Sequence, residues 1–224
     1  MVPVPKTRGI LFDAEGVVID TEPAWDEAQR QFLARRGIPY ERSKLKPLLS
    51  GRTLPEGAII MRDMYKYHGD VASHVHERRA LMRELVSVQT KFMVGFERFF
   101  AAIRAEYDVA LATAMDVELF DLVDDGLGLT RLFGGNVITL REVAFKSKPN
   151  PDLFLCAAER LGLSPALCIV IEDAPLGIKA ALKAGMFAIA LTTTYDAGLL
   201  REANVICSSF DEILTALKTG CAGN

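Results

Sequence analysis

The sequence predicts a doubly wound (Rossmann-like) α/β fold, in which helices cover both faces of a parallel sheet, with an inserted α-helical cap domain. Half of the 224 residues are apolar, so the chain can bury one sizeable core and a small accessory domain. Short apolar runs alternate with segments of helical apolar spacing, and one long charged stretch interrupts that alternation. Strands that alternate with helices need crossover connections, which favour a parallel sheet.

Six runs of apolar and β-branched residues have the length and composition of buried strands. They cover residues 9–12, 109–113, 137–139, 168–171, 187–191 and 205–207. Helical apolar spacing is found between them, in residues 117–127, 151–161, 175–184 and 210–217. Pro151 and Pro175 suit the first turns of two helices, and Gly162 and Gly185 suit helix ends.

A charged, helical stretch without a convincing strand follows the first predicted strand, at residues 22–94. We expect it to form the inserted domain, and residues 1–21 and 95–224 to form the α/β core. Residues 22–94 hold 13 Lys and Arg against 9 Asp and Glu, whereas the rest of the chain holds 13 against 20. Two interpretations are open: the charges belong to ordinary solvated helix faces, or a basic lid attracts anions above a cation-binding base.

The composition excludes several classes of partner. With a formal net charge of −3, the chain lacks the overall positive charge that is typical of proteins that bind nucleic acid or membrane surfaces. The first eight residues lack the apolar core of a signal peptide, and no run approaches a membrane span. The four cysteines form no Cys-x-x-Cys pair, which is typical of reduced thiols. We therefore expect a cytoplasmic monomer or weak homodimer that acts on a small molecule.

Chemically useful side chains follow the predicted strands, at the edge where open parallel sheets gather their ligands. They are Asp13 with Glu15, Thr113, Lys148, and Glu172 with Asp173. Taken singly, each has an ordinary explanation, because Asp and Thr cap helices and Lys is usually solvated. Together, the acids would repel one another unless a cation lay among them. Oxygen ligands without a nearby His or Cys favour Mg²⁺ over zinc.

Four segments, in this order, carry a resemblance to a known family. They are FDAEGVVIDTEP at 12–23, LATA at 111–114, KSKPNPDLF at 146–154 and IEDAPLGIKAALKAGM at 171–186. They resemble the four motifs of the haloacid dehalogenase superfamily, in its phosphatase and β-phosphoglucomutase-like group, and the insert falls where helical-cap members carry their cap. The resemblance implies a Mg²⁺-dependent phosphohydrolase that acts on a small phosphorylated metabolite, either a sugar phosphate or a nucleoside monophosphate.

The resemblance also implies a role for each candidate residue. Asp13 would attack phosphorus and form an aspartyl-phosphate that water then hydrolyses. Thr113 would donate to a phosphoryl oxygen, and Lys148 would neutralise charge on Asp13 and on the transferring group. The backbone amides of Ala14 and Ala114 are further candidates for phosphoryl contacts.

The implied Mg²⁺ ligands are Asp13, Asp173 and the backbone carbonyl of Glu15, with Glu172 as a direct or water-mediated ligand. Glu15 departs from the family pattern, because phosphatases and mutases of the family carry Asp there as general acid/base. Its carboxyl has similar acidity and lies one methylene further out, so we expect Glu15 to keep that role. A displacement of a catalytic group by about 1 Å can lower the rate about 10²-fold. The alternative that the protein is catalytically weak, or inactive and only binds phosphorylated ligands, therefore stays open.

Two residues of the insert are candidates for substrate contacts. Arg52 could reach a phosphate or sugar oxygen, or remain solvated. Trp25 could stack on the substrate, or pack at the hinge between the insert and the core. The family's sugar-phosphate mutases carry a His and an Arg near positions where this chain has Trp25 and Leu54. A phosphosugar mutase is therefore less expected than a hydrolase.

Overall fold

A central parallel sheet organises the chain. The computed structural model describes residues 4–49 and 52–221. The strands of these residues are β1 Gly9–Phe12, β2 Ile19–Asp20, β3 Lys91–Phe92, β4 Asp108–Ala112, β5 Val137–Ile138, β6 Cys168–Glu172, β7 Phe187–Leu191 and β8 Val205–Cys207. The parallel sheet has the order β5-β4-β1-β6-β7-β8, which puts β1 between β4 and β6.

Helices cover the sheet or form the insert. In chain order they are α1 Glu22–Ala34, α2 Arg42–Leu49, α3 Leu54–Tyr65, α4 Val71–Gln89, α5 Phe96–Ile103, α6 Val117–Leu127, α7 Leu129–Leu132, α8 Asp152–Arg160, α9 Pro175–Lys183 and α10 Phe210–Cys221. None of the helices in the described ranges is long and apolar enough to cross a bilayer.

Strand β1 separates two hydrophobic clusters, because successive side chains of a strand point to opposite faces of the sheet. On one face, the Phe12 ring packs against Phe96 and Phe133, with centroids 5.9 and 5.7 Å away. On the other face, Leu11 belongs to a cluster that includes Phe154 of α8 and Ile178 of α9. All residues of β1 and β6 are buried, which explains why β1 and the first four residues of β6 form uninterrupted apolar runs.

Helices α1 to α4 form a lid that is inserted between β2 and β3. These two strands pair antiparallel, so the chain leaves the core and returns to it through one short ribbon. Within the lid, Arg36, just after α1, forms an ion pair with Glu77 of α4 at 2.5 Å. Between the lid and the core, Arg79 of α4 pairs with Asp116 at the start of α6 at 2.8 Å. The lid therefore lies over the carboxyl end of the sheet near α6.

This topology confirms the predicted fold class, a doubly wound α/β core with an inserted helical domain. Gly162 and Gly185 end α8 and α9 with φ of 66° and 73°, as predicted. The expectation of no strand in residues 22–94 is wrong, because β3 lies there. Strand β3 is two residues long and is stabilised by pairing with β2, and the periodicity of the sequence does not detect such a pairing. Helices α5 and α7 are present in the structure but were not among the helices predicted from the sequence. The domain boundaries at 22 and 94 stay a prediction.

Candidate active site

Three neighbouring strands deliver polar side chains to one edge of the sheet. The register pairs Phe12 with Leu111 on one side and with Ile171 on the other, so β1, β4 and β6 end side by side. Asp13 follows β1 directly, Thr113 follows β4, and Asp173 follows β6. All three are buried, at 7%, 1% and 4% exposure. Buried polar groups need partners, so the contacts of these residues define the chemistry of the edge.

Lys148, in the loop before α8, brings a positive charge to these acids. Its side chain is 4% exposed. Its ammonium donates to Asp13 Oδ1 and to Glu172 Oε1, the second at 2.6 Å. Burial alone would lower the pKa of Lys148, but the two carboxylates outweigh it and raise the pKa above the ordinary lysine value. Lys148 is therefore a fixed cation at neutral pH.

Glu172 is the last residue of β6 and is held from both sides. While Oε1 accepts from Lys148, Oε2 accepts from the backbone amides of Asp173 and Ala174, both at 2.9 Å. The carboxylate lies against the first turn of α9, where a Cβ on Gly177 would overlap it. Both oxygens of Glu172 are thus occupied by protein donors, which favours an indirect contact with any bound cation.

Asp13, Glu172 and Asp173 form an acidic cluster, whose carboxylate oxygens lie within 4.8 Å of one another. Burial raises the pKa of Asp13 to about 7, and the charge of Glu172 adds to that rise while Lys148 opposes it. Burial also raises the pKa of Asp173 well above its ordinary value, and the neighbouring carboxylates raise it further. With one ammonium among three carboxylates, the ionised cluster carries two excess negative charges. Buried oxygen ligands with this charge fit a divalent cation such as Mg²⁺.

The residues predicted to contact the phosphoryl group differ in position. Thr113 lies at the base of the cleft between the sheet edge and the lid, and its hydroxyl accepts from the Met115 amide at 3.1 Å. Ala114 also lines the cleft. Ala14 does not; its side chain is fully buried in a hydrophobic cluster, and its carbonyl accepts from the amide of Val18 at 2.8 Å. A contact from Ala14 would have to come from its backbone amide.

The Glu15 side chain lines the same cleft as Asp13 and contacts the first helix of the lid. Its Oε1 accepts from Thr21 Oγ1 and from Trp25 Nε1, both at 2.7 Å. The next residue, Gly16, has φ of 78°, and a Cβ there would overlap the Asp173 carboxylate. Gly16 thus lets the chain turn closely past Asp173.

The lid supplies the other wall of the cleft. Trp25 of α1 is half-buried in it, with its ring facing the cleft. Arg52, just before α3, is exposed, lines the cleft and donates from Nε to the Leu48 carbonyl at 3.1 Å. Arg78 of α4 also lines the cleft, and unlike Arg52 it is only 4% exposed. The remaining lid side chains around the cleft include Glu22, Gln29, Tyr40 and Lys46.

With this geometry established, comparison with known proteins identifies the family. The protein-family model described as haloacid dehalogenase-like hydrolase matches residues 7–185. This range is most of the chain and includes each strand-end residue named above. The chain belongs to the haloacid dehalogenase-like hydrolases. The predictions of this family and of an enzyme of this class are therefore confirmed.

Similar members of the family cover nearly the whole chain. Validoxylamine A 7'-phosphate phosphatase of Streptomyces hygroscopicus subsp. limoneus is 29% identical over 205 residues, 91% of this chain and 94% of its own. Fructose-1-phosphate phosphatase YqaB of Escherichia coli is 28% identical over 188 residues, 82% of this chain and 96% of its own. A haloacid dehalogenase family IA hydrolase of Entamoeba histolytica has a solved structure with a TM-score of 0.81 and 26% identity, covering 96% of this chain and 100% of that one.

Sequence reasoning missed several residues of this haloacid dehalogenase-like site, above all Arg78. A signal was present, because Arg78 interrupts the apolar face of α4, which includes the buried residues His74, Leu81, Met82 and Val86. A charged residue at a core position of an amphipathic helix is an exception that calls for a partner. The hydrogen bonds from Thr21 and Trp25 to Glu15 had no comparable signal, because they depend on where α1 leaves the sheet.

Proposed function

We propose that the chain hydrolyses phosphoric monoesters of a small metabolite, a sugar phosphate or a nucleoside monophosphate, with Mg²⁺ and through a phosphate ester on Asp13. The observation that carries the proposal is the buried Asp13 carboxylate, bound to Lys148 and grouped with Asp173 at the sheet edge. The family and its phosphatase relatives support the reaction class. Relatives acting on fructose 1-phosphate and validoxylamine A 7'-phosphate support a small, hydroxyl-rich substrate.

Asp13 is the proposed nucleophile. Lys148 binds its Oδ1, which leaves Oδ2 free to attack phosphorus in line with the leaving oxygen. A bond forms between Oδ2 and phosphorus as the bond to the substrate's alcohol oxygen breaks. The Lys148 ammonium then offsets negative charge on the transferring group. The Thr113 hydroxyl and the backbone amides of Ala14 and Ala114 are the proposed donors to its other oxygens.

Glu15 is the proposed acid/base. Its proton would pass to the alcohol oxygen as that oxygen leaves phosphorus, and the resulting carboxylate would accept a proton from the water that attacks the phosphate on Asp13. This second step releases inorganic phosphate and restores Asp13. Thr21 and Trp25 hold the carboxylate at the cleft wall, where an alcohol would leave.

Asp13 and Asp173, with the carbonyl of Glu15, are the proposed direct ligands of Mg²⁺, and Glu172 the proposed indirect ligand. When bound, Mg²⁺ would neutralise the excess negative charge of the cluster and of the phosphoryl group. In the lid, Arg52 and Trp25 are proposed to contact the alcohol portion of the substrate. A closed lid would keep bulk water from the aspartyl-phosphate.

The test is phosphate release from a panel of phosphorylated metabolites, with Mg²⁺ and with EDTA. We expect Mg²⁺-dependent turnover that Asp13→Asn abolishes. Asp108→Asn is the matched control, because Asp108 is an exposed carboxylate at the opposite end of β4, and it should retain full activity. Turnover that persists in Asp13→Asn would refute the proposed nucleophile.

A second candidate, binding of phosphorylated ligands without turnover, is favoured by one observation: the Glu15 carboxylate already accepts hydrogen bonds from two side chains of the protein, Thr21 and Trp25. It predicts Mg²⁺-dependent ligand binding by calorimetry and no phosphate release from any member of the panel. Turnover by the wild type rejects this candidate.

A further inference from the structure

The lid contains a buried arginine whose charge the protein leaves uncompensated. Arg78 is 4% exposed, yet within residues 4–49 and 52–221 no carboxylate forms an ion pair with it. Its Nη1 donates to the Leu54 carbonyl at 3.1 Å, while its Nε has no hydrogen-bond partner. Burial lowers the pKa of Arg78 to about 10, which still leaves the guanidinium charged at neutral pH. A buried cation without an anion is costly, so its presence calls for an explanation.

Most other arginines of the lid have acidic partners. Arg36 pairs with Glu77, Arg42 with Glu22 and Asp26, and Arg79 with Asp116. All of these are more exposed than Arg78, and Arg52, which also lacks an acidic partner, is exposed to water. Among the described arginines of the lid, Arg78 is thus the buried one, and it has no carboxylate as counter-charge.

The guanidinium is placed where a ligand can reach it. Arg78 lines the same cleft as Asp13. It lies against the first turns of α3, where a Cβ on Gly57 would come within 2.9 Å of Nη1, so the glycine makes room for the guanidinium. The start of α3 itself is capped within the protein, by the Thr53 hydroxyl and the Glu56 carboxylate. The positive charge of this part of the wall therefore comes from Arg78.

Trp25 indicates which end of a substrate faces Arg78. The guanidinium carbon lies 5.8 Å from the centroid of the Trp25 ring, within the range of a cation–π contact. The Nε1 of the same ring donates to Glu15, the proposed acid that protonates the leaving oxygen. One indole thus connects Arg78 to Glu15, whereas Lys148 and Thr113 lie on the core side. Arg78 is therefore next to the alcohol portion of the substrate.

We propose that Arg78 is an anion-binding, specificity-determining residue, and that the preferred substrate carries a second anionic group, a carboxylate or a phosphate, on its short alcohol portion. The proposal rests on the proposed phosphohydrolase function, whose substrate class it narrows. A divalent cation neutralises the acidic cluster, but Arg78 on the opposite wall stays unbalanced until an anion binds. A neutral hydroxyl could accept a hydrogen bond from Arg78 but would not compensate its charge, whereas a carboxylate or phosphate can also bind bidentately.

The first experiment compares esters that differ in the second anion. The pairs are 3-phosphoglycerate with glycerol 3-phosphate, for a carboxylate, and fructose 1,6-bisphosphate with fructose 1-phosphate, for a phosphate. We expect the wild type to prefer the two-anion member of at least one pair in kcat/KM. Arg78→Met should remove that preference, with a loss of about 100-fold on the preferred ester and less than about 3-fold on its partner. The loss should lie mainly in KM, because the second anion binds alike in the ground and transition states.

Two further variants separate charge from packing. Arg78→Lys keeps the charge and should restore part of the preference. Arg62→Met removes an exposed lid arginine that is paired with Asp63, and it should behave as the wild type. In the metal-free protein, Arg78→Met should leave Tm unchanged or raise it, because it removes an unpaired buried charge. A wild type without preference in either pair, or equal losses on both members in Arg78→Met, would overturn the anion site.

A binding measurement distinguishes failure of this inference from failure of the proposed function. Calorimetry on Asp13→Asn, with Mg²⁺, compares the affinities for the two members of each pair without turnover. Tighter, Arg78-dependent binding of the two-anion ester supports the anion site even if the wild type releases no phosphate, in which case the hydrolase proposal alone is wrong. Equal affinities in both pairs overturn the anion site, whatever the activity.

Discussion

The contact between Trp25 and Glu15 leads to a prediction that tests the acid/base directly. Trp25→Phe removes the indole N–H that donates to Glu15 at 2.7 Å, and it keeps an aromatic ring beside Arg78. Thr21, which donates to the same oxygen at 2.7 Å, remains. The carboxylate therefore loses one of two hydrogen bonds and gains freedom to rotate away from the leaving oxygen.

The magnitude follows from the strength of that bond. A hydrogen bond to a charged group contributes about 1.5–3 kcal/mol. Each 1.36 kcal/mol of lost transition-state stabilisation corresponds to about tenfold in rate. If the bond serves to place Glu15, Trp25→Phe should lower kcat/KM for an alkyl phosphate about 10- to 100-fold.

The assay compares two leaving groups. Glycerol 3-phosphate leaves as an alkoxide and needs a proton, whereas p-nitrophenyl phosphate leaves as a stable phenolate and does not. Because kcat/KM reports the steps up to the first transfer, we expect Trp25→Phe to lower it strongly for glycerol 3-phosphate and less than about 3-fold for p-nitrophenyl phosphate. Glu15→Gln should give the same pattern with a larger loss.

The control is a double-mutant cycle. In the Glu15→Gln background, Trp25→Phe should have little further effect, because both changes remove the same function. Equal losses on both substrates, or a full additional loss in the Glu15→Gln background, would refute the positioning role and favour direct stacking of Trp25 on the substrate.

Two other predictions concern the buried charges. Gly177→Ala places a Cβ into the Glu172 carboxylate and should destabilise the protein by about 3 kcal/mol, which lowers Tm by about 6–12 °C. Its control is Gly126→Ala, in an open position of α6, which should leave Tm unchanged or raise it slightly. Equal melting temperatures of the two variants would contradict the close approach of Glu172 to α9. Mg²⁺ at about 100 times its Kd should stabilise the wild type by about 2.7 kcal/mol and raise its Tm by about 5–10 °C. The Asp173→Asn variant should not show this increase in Tm with Mg²⁺. Without metal, it should melt at a temperature no lower than that of the wild type. An Asp173→Asn variant that Mg²⁺ stabilises as strongly as the wild type would show that Asp173 is not a ligand.

Most of the core was predictable from the sequence because its strands are buried on both faces. Strand β1 is buried along its whole length, and so are the four apolar residues with which β6 begins, so both runs are visible without a structure. The ribbon of β2 and β3 carries no such pattern. Each strand is two residues long and pairs with the other, which lies about seventy residues away in the sequence.

Which polar residues meet at the sheet edge follows from the sequence alone. Asp13, Thr113 and Asp173 each follow a buried run, and parallel strands end at the same edge, so strand order alone brings them together. The tertiary structure alone decided what faces them. The bond from Trp25 to Glu15 and the position of Arg78 depend on how the lid packs over the sheet, and that packing is set by contacts between residues far apart in the chain, which no local pattern encodes.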